Sequence, residues 1–359
     1  MAYTKDSRVD LIPTILGAES FKDKCLTFRR TLFPAPPVSP EPAWEDYREG
    51  SWEWPSLSRV ELYNACSAKI KGKTPGPDGI PHEIIRYAYK AIPDTFYSLY
   101  SALLNIGYYP KCWRQAIRAI LKKQGKPDYS VPKAYRVIAL LNCLGKVSER
   151  ILAQRLSYLA ETTRLLHPSQ IGGRLKKSAI DAALLLTNKV EENRRLKRYT
   201  SALFLDVKGA FDHVSKNRLL TILQSLRLPA SLIRWVASFL SNRVLRLSFN
   251  GQTEPFSPIE TGIPQGSPIS PILFLIYIRD LFPSLAIGVL SYIDDIVLFI
   301  ASTSLKKNIK TLEREAEKLY RLGAENTIEF DLAKTKLLYF IAKKEASSRS
   351  ILLPNKEVV

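Results

Sequence analysis

The stretch Gly288-Val289-Leu290-Ser291-Tyr292-Ile293-Asp294-Asp295-Ile296-Val297-Leu298-Phe299-Ile300-Ala301 holds two apolar segments, Gly288–Ile293 and Ile296–Ala301, separated by adjacent aspartates. Apolar runs of this length bounded by polar residues predict strands. Two neighbouring carboxylates at the junction cannot both enter a core, because unpaired buried charge is costly. Taken alone, the tetrapeptide Tyr292-Ile293-Asp294-Asp295 also suits an ordinary polar turn. Asp206 shifts the balance, since it ends a third apolar segment, Ala202-Leu203-Phe204-Leu205. If the three strands share one sheet, Asp206 and Asp294 reach the same edge. Clustered carboxylates repel unless a cation neutralises them, and hard oxygen donors select Mg²⁺ or Mn²⁺. Two such ions about 3.5–4 Å apart clamp an in-line phosphoryl displacement.

Outward from this edge, helices and strands alternate. Helical spacing predicts helices near Ser20–Arg30, Ser58–Ile70, Glu83–Tyr89, Pro93–Asn105, Lys146–Leu159, Ser178–Leu196, Lys216–Ser225, Ala230–Ser241, Pro268–Leu281 and Ser304–Leu322. Gln115–Leu121, Tyr135–Leu141 and Lys336–Ile341 read as further strands or extended segments. Val244–Phe249, Asn250-Gly251 and Gln252–Ser257 predict a hairpin, since Asn-Gly favours a type I′ turn. Strands interleaved with helices and return hairpins indicate an α+β sheet domain. The Pro-rich run Phe33–Pro42 reads as a stiff linker, and Trp44, Trp52 and Trp54 after it predict an arm that docks.

Composition narrows the partner. The 359 residues carry 53 Lys+Arg against 34 Asp+Glu, a net charge of +19, and such an excess points to a polyanion, nucleic acid above all. Cys25, Cys66, Cys112 and Cys143 lack CxxC spacing and read as reduced thiols, and the histidines His82, His167 and His213 are too dispersed for a zinc site. No apolar run reaches the ~18 residues a transmembrane helix needs. Met1–Asp10 lacks the charged-then-apolar shape of a signal peptide. An intracellular location is expected, nuclear or cytoplasmic, with the mitochondrion as a third possibility. Gly72-Lys73-Thr74 has the ending of a P-loop, but Ser67 stands where a glycine is needed and Pro75 follows.

Seven stretches, in order, resemble the reverse transcriptase family, and within it the LINE-like (non-LTR) retrotransposon enzymes, of fungal type. Lys73–Pro81 resembles the motif before the fingers. Trp113-Arg114, Lys123, Gly125, Tyr135-Arg136-Val137-Ile138 and Gly145–Arg150 resemble the fingers motifs, and Gln170-Ile171-Gly172-Gly173-Arg174 the segment before motif A. Phe204–Asp212 resembles motif A, Gly262–Pro268 motif B, Tyr292–Asp295 motif C and Phe330–Thr335 motif D.

The resemblance implies an α+β right-hand polymerase fold of fingers and palm, the palm an antiparallel sheet packed on helices, with the thumb missing. Residues 1–55 would form an arm with the linker, 56–200 the fingers, 201–345 the palm and 346–359 a tail. It implies an RNA-directed DNA polymerase that joins dNTPs to a primer 3′-hydroxyl. Its partners would be an RNA template and a DNA primer or nicked target DNA, with no membrane and no predictable stable protein partner. Asp206, Asp294 and Asp295 would be catalytic and, with the Val207 carbonyl, hold two Mg²⁺ ions, or Mn²⁺. Lys334 would be a proton donor to pyrophosphate. Lys123 and Arg136 would hold the triphosphate, Phe211 would exclude a 2′-hydroxyl, and Gln265 and Gly266 would lie against nucleotide and template. Arg174, Lys176 and Lys177 are candidates for nucleic-acid contact.

The sequence departs from the family at Val137, where proline is usual, and at Ile293, where many LINE-like enzymes carry alanine. The chain stops at Val359, where the primer grip and thumb would begin, so a fragment of weak processivity is expected. The alternative is a catalytically silent relic or a maturase-like RNA-binding protein.

Overall fold

The computed structural model describes residues 11–33, 39–68, 74–341 and 350–353. Lys73 and Gly72, the helix end expected at 69–70, linker residues 34–38 and most of the expected tail lie outside the described residues. The helices are α1 (Phe21–Leu32), α2 (Arg59–Ser67), α3 (His82–Ala91), α4 (Pro93–Ile106), α5 (Cys143–Thr162), α6 (Ala179–Arg195), α7 (Lys216–Ser225), α8 (Ala230–Leu240), α9 (Ser270–Ile278) and α10 (Leu305–Glu325). The strands are β1 (Gln115–Lys122), β2 (Tyr135–Leu141), β3 (Tyr199–Asp206), β4 (Arg243–Phe249), β5 (Gln252–Thr253), β6 (Ser257–Ile259), β7 (Gly288–Tyr292), β8 (Asp295–Ser302) and β9 (Lys336–Phe340).

The chain forms two compact units, residues 1–155 with 211–270, and residues 156–210 with 271–359. Neither is continuous in sequence, and their limits fall at other positions than the boundaries at 55, 200 and 345 read from the sequence.

The first unit is built on a sheet in the order β2-β1-β4-β5, with β6 also on β4. β1 runs antiparallel to β2 and parallel to β4, a pairing of segments more than a hundred residues apart. Helix α1 covers the buried face: Phe28 meets the rings of Tyr135 and Phe249 edge-on, beside Val137, Leu245 and Leu247. Ser20 caps α1 by accepting from the Asp23 amide at 3.1 Å, satisfying one of the helix's open donors. The arm docks as expected. Trp52 Nε1 donates to the Leu226 carbonyl at 3.1 Å, the Tyr47 hydroxyl donates to the Leu228 carbonyl, and Trp54 receives the Arg155 guanidinium on its ring.

Asn250 and Gly251 both have positive φ, 52° and 73°, as a type I′ turn requires. The return strand is shorter than expected, however. It breaks between β5 and β6 at Glu254-Pro255-Phe256, where Pro255 has no N–H for the ladder and the Glu254 carboxylate instead accepts from the Leu247 amide at 2.8 Å. Helix α9 likewise begins at Ser270 instead of Pro268. Pro271 occupies its first turn, where a missing N–H costs nothing.

The second unit is built on an antiparallel sheet, β7-β8-β3-β9. Its central strand β3 is buried nearly throughout, from Thr200 to Leu203 and at Leu205. Helix α10 lies on β3 and β8. Its buried residues Leu312, Ala316, Leu319 and Gly323 recur every three or four positions, the stripe that turns one helix face to the sheet. Asn308, also buried, donates to the Tyr199 carbonyl at 2.8 Å and to Ser201 Oγ at 3.2 Å, locking the start of β3 to α10.

Candidate active site

The carboxylates meet at one end of the antiparallel sheet. β3 and β8 pair with Asp206 opposite Asp295, and β7 closes the hairpin with Tyr292 opposite Asp295. The two-residue turn between them is Ile293-Asp294. Ile293 has φ 58°, a left-handed conformation uncommon for any side chain and strained for a β-branched one. The surroundings hold it there. The Val207 amide donates to the Asp294 carbonyl at 3.2 Å, and the Asp331 amide donates to the Asp206 carbonyl at 2.8 Å.

A second support was not read from the sequence. The segment around Gln170 bridges β7 in parallel at Ser291. The Ile171 amide donates to the Ser291 carbonyl at 2.8 Å, and the Ser291 amide to the Ser169 carbonyl at 2.9 Å. Gln170 is fully buried and donates from Nε2 to the Leu275 carbonyl at 2.7 Å. Gly172 then backs directly onto the turn. A Cβ there would lie 2.6 Å from the Ile293 nitrogen and 2.7 Å from the Tyr292 carbonyl carbon. The signal available in the sequence was the Gly172-Gly173 pair, which marks a close backbone approach.

Electrostatically the edge is crowded. Desolvation, with the charges of Asp295 and Asp206, raises the Asp294 pKa above the usual aspartate value. Partial burial and the Asp206 charge raise Asp295. Lys334 answers this crowding: its Nζ sits 2.6 Å from Asp206 Oδ2 and 3.8 Å from Asp331 Oδ2. Burial works against its ammonium, but the hydrogen bond and charge of Asp206, with Asp331 and Asp294, outweigh it and hold its pKa above the ordinary lysine value. Among the described residues, no three His, Cys, Asp or Glu side chains are gathered closely enough to make a metal cluster. The donor chemistry nonetheless fits a hard divalent cation. Asp294 and Asp295 are oxygen donors whose ionised forms are disfavoured without a counter-charge, and an ammonium already stands on Asp206, opposite Asp295 in the sheet.

The remaining expected site residues are placed as follows. Val207 is buried and bridges Phe330. Arg174, in the same unit, is held by Glu161 through two hydrogen bonds of 2.9 and 2.8 Å and donates to the Gln170 carbonyl, so its guanidinium braces the turn before Lys176. Lys176 and Lys177 are exposed, Lys176 at φ 57°.

The first unit holds Lys123, Arg136, Phe211, Gln265 and Gly266. Lys123 follows β1 and donates from Nζ to the Lys133 carbonyl at 2.9 Å. Arg136 is exposed on β2, opposite Leu121. Phe211 is half-buried, and its carbonyl accepts from the Ile263 amide at 2.7 Å. The Gln265 carbonyl accepts from the Ala139 amide at 2.7 Å. Gly266 has φ 128°, and a Cβ there would fall 2.6 Å from the Ala139 carbonyl oxygen. Its glycine is therefore required by β2 itself, whatever ligand approaches. Next to it, the buried Glu149 carboxylate accepts from the Tyr109 hydroxyl at 2.7 Å and from Ser267 Oγ. Burial raises its pKa.

Comparison with known proteins supplies the family. Residues 120–352 match the family model described as reverse transcriptase (RNA-dependent DNA polymerase). The chain belongs to the reverse transcriptase family. Its relatives are reverse transcriptases of non-LTR retrotransposons. The RNA-directed DNA polymerase from mobile element jockey of Drosophila melanogaster is 31% identical over 241 residues, 66% of this chain and 26% of that protein. The probable RNA-directed DNA polymerase from transposon BS of the same fly is 29% identical over 266 residues, 70% of this chain and 29% of that protein. The Pol polyprotein from retrotransposable element R2 of Popillia japonica is 29% identical over 258 residues, 67% of this chain and 34% of that protein. The chain thus spans roughly a quarter to a third of these relatives, which come from insects. No described helix is long and apolar enough to cross a membrane.

Proposed function

We propose that this chain is the catalytic part of an RNA-directed DNA polymerase that extends a primer 3′-hydroxyl with dNTPs on an RNA template. The observation that carries the reading is the pairing of Asp206 with Asp295 across β3 and β8, with Asp294 at the adjoining turn. In this reading Asp206, Asp294, Asp295 and the Val207 carbonyl hold two Mg²⁺ ions, or Mn²⁺. Such ions, when bound, activate the attacking hydroxyl and neutralise the leaving pyrophosphate. Asp206 must then exchange its ammonium partner, which frees Lys334 to donate a proton to the departing pyrophosphate.

For the first unit, the same reading gives Lys123 and Arg136 the triphosphate, makes Phe211 the filter against a 2′-hydroxyl, and sets Gln265 and Gly266 against nucleotide and template. Lys176 and Lys177 take phosphates of the nucleic acid, with Arg174 holding their turn in place. The palm of a right-hand polymerase corresponds to the antiparallel β7-β8-β3-β9 sheet in this reading, and the fingers to parts of the first unit.

A second reading is an RNA-binding chain without synthesis. The neutralisation of Asp206 by Lys334 favours it, because a committed carboxylate is a weaker metal ligand. Primer extension on an RNA template with Mg²⁺ and labelled dNTPs, beside Asp294→Asn, separates the two. Extension that disappears in the variant supports the polymerase. RNA binding with no extension by either chain supports the second reading. Ribonucleotides incorporated as readily as deoxyribonucleotides would remove the role of Phe211.

A further inference from the structure

On the buried face of β1, Arg118 stands between Ala116 and Ile120, at 2% exposure against their 7% and 6%. A guanidinium in a row of apolar side chains needs compensation. Its nearest carboxylate, Asp212, is 3.4 Å away, beyond a good charge-assisted hydrogen bond. The Phe33 ring lies 5.2 Å from its guanidinium, and among the described residues its Nε has no hydrogen-bond partner. Arg243, at the start of β4, is 5% exposed and uses Nη2 on the Thr261 and Gly262 carbonyls, 2.6 Å each. Its Nε is also without a partner among the described residues. Arg114 completes the group, donating to the Tyr109 and Ser241 carbonyls and to Ser238 Oγ.

All three arginines line one small cavity of about 10 Å³, walled by Trp113, Phe239, Ile259 and Pro264. Among the described residues, Asp212 is the one carboxylate that forms an ion pair with any of them. Three buried cations therefore face one carboxylate. Burial, followed by the Arg118 charge, pulls the Arg243 pKa down to about 9, which is how an under-compensated guanidinium behaves.

We propose that this cavity is a binding site for a small inorganic anion of halide size, held between Arg118 and Arg243. The space admits one monatomic particle and is too little for a phosphate group. The unused Nε donors and the surplus positive charge favour an anion over water. The anion would brace the junction of two loops. Thr261 Oγ1 donates to the Asp212 carbonyl at 3.2 Å, and a Cβ on Gly262 would come within 2.6 Å of that same oxygen. Arg118 pairs with Asp212 and Arg243 holds the Thr261 and Gly262 carbonyls, so an anion between the two guanidiniums relieves their mutual repulsion at that contact. The site is independent of the polymerase reading.

The test is a melting series of the full chain at constant ionic strength, with bromide or chloride replacing gluconate. A saturable rise of about 2–4 °C with the halide, absent with gluconate and lost in Arg118→Met, is expected. Crystals grown in bromide should show an anomalous peak between Arg118 and Arg243. Equal melting in halide and gluconate, or a water at that position, overturns the proposal. Should Arg118→Met fail to fold, the wild-type series and the bromide crystal still decide.

Discussion

Replacing Gly172 with alanine should displace the carboxylate turn without unfolding the chain. The added Cβ would meet only backbone: Ile293 nitrogen at 2.6 Å, and the Tyr292 carbonyl carbon and Cα at 2.7 Å. Ordinary van der Waals contact begins near 3.4 Å, so the turn or the 170–173 segment must retreat by about 0.8 Å. Neither can rotate a side chain out of the way, and both are hydrogen-bonded to each other through Ser291. Overpacking of this kind costs roughly 1–3 kcal/mol. The functional effect is larger, because misplacing reacting groups by about 1 Å can lower a rate about 100-fold. Gly172→Ala is therefore expected to lower primer extension by roughly that factor, while circular dichroism and RNA affinity stay near wild type. Single-turnover extension with saturating template and dNTP measures the rate, and a thermal melt measures the stability. A variant that extends at the wild-type rate would refute the argument that Gly172 positions Asp294.

Three further outcomes follow from the same structure. Gly266→Ala places a Cβ 2.6 Å from the Ala139 oxygen at φ 128°, and urea denaturation should show a loss of about 2 kcal/mol or more. His82 is 5% exposed, and burial, then the Arg150 charge, lowers its pKa to about 4. Stability from its neutral form is present above pH 6.5 and declines as pH falls towards 4, by about 3 kcal/mol, so His82→Gln should flatten that acid limb in denaturation curves. With a net charge of +19, RNA affinity measured by filter binding should fall steeply with salt, and a flat dependence would contradict phosphate-driven binding.

The local code was legible where it is short-ranged. Lys216–Ser225, Tyr135–Leu141 and the Asn250-Gly251 turn form as their spacing predicts, because helix periodicity and left-handed turn residues act over a few neighbours. The carboxylate edge was legible too, since aspartates that end apolar strands have few places to go. Long-range partners were not. Nothing local tells β1 to run parallel to β4, or places Arg118 on the buried face of their sheet. Lys334 carried a chemical expectation from its motif, yet its ion pair joins it to the end of β3, 128 residues away in sequence. The Gly172-Gly173 pair signals a close backbone approach, but which backbone faces Gly172 or Gly266 depends on segments far away in sequence.

The order of strands along β7-β8-β3-β9 also bears on how the protein is made. β3 is the first of the four to be synthesised and the only one needing neighbours on both sides that are both still to come, starting at Asp295 and Lys336. At translation rates of about 5–20 residues per second, its two open edges wait on the order of 5–25 s for cover. During that interval Ala202-Leu203-Phe204-Leu205 is a bare apolar strand, the kind that pairs with foreign chains. A ribosome that stalls, or a message that ends, anywhere between β3 and β9 releases a sticky strand instead of an inactive enzyme. Truncated copies of this chain should therefore reach the cell's disposal machinery as aggregates.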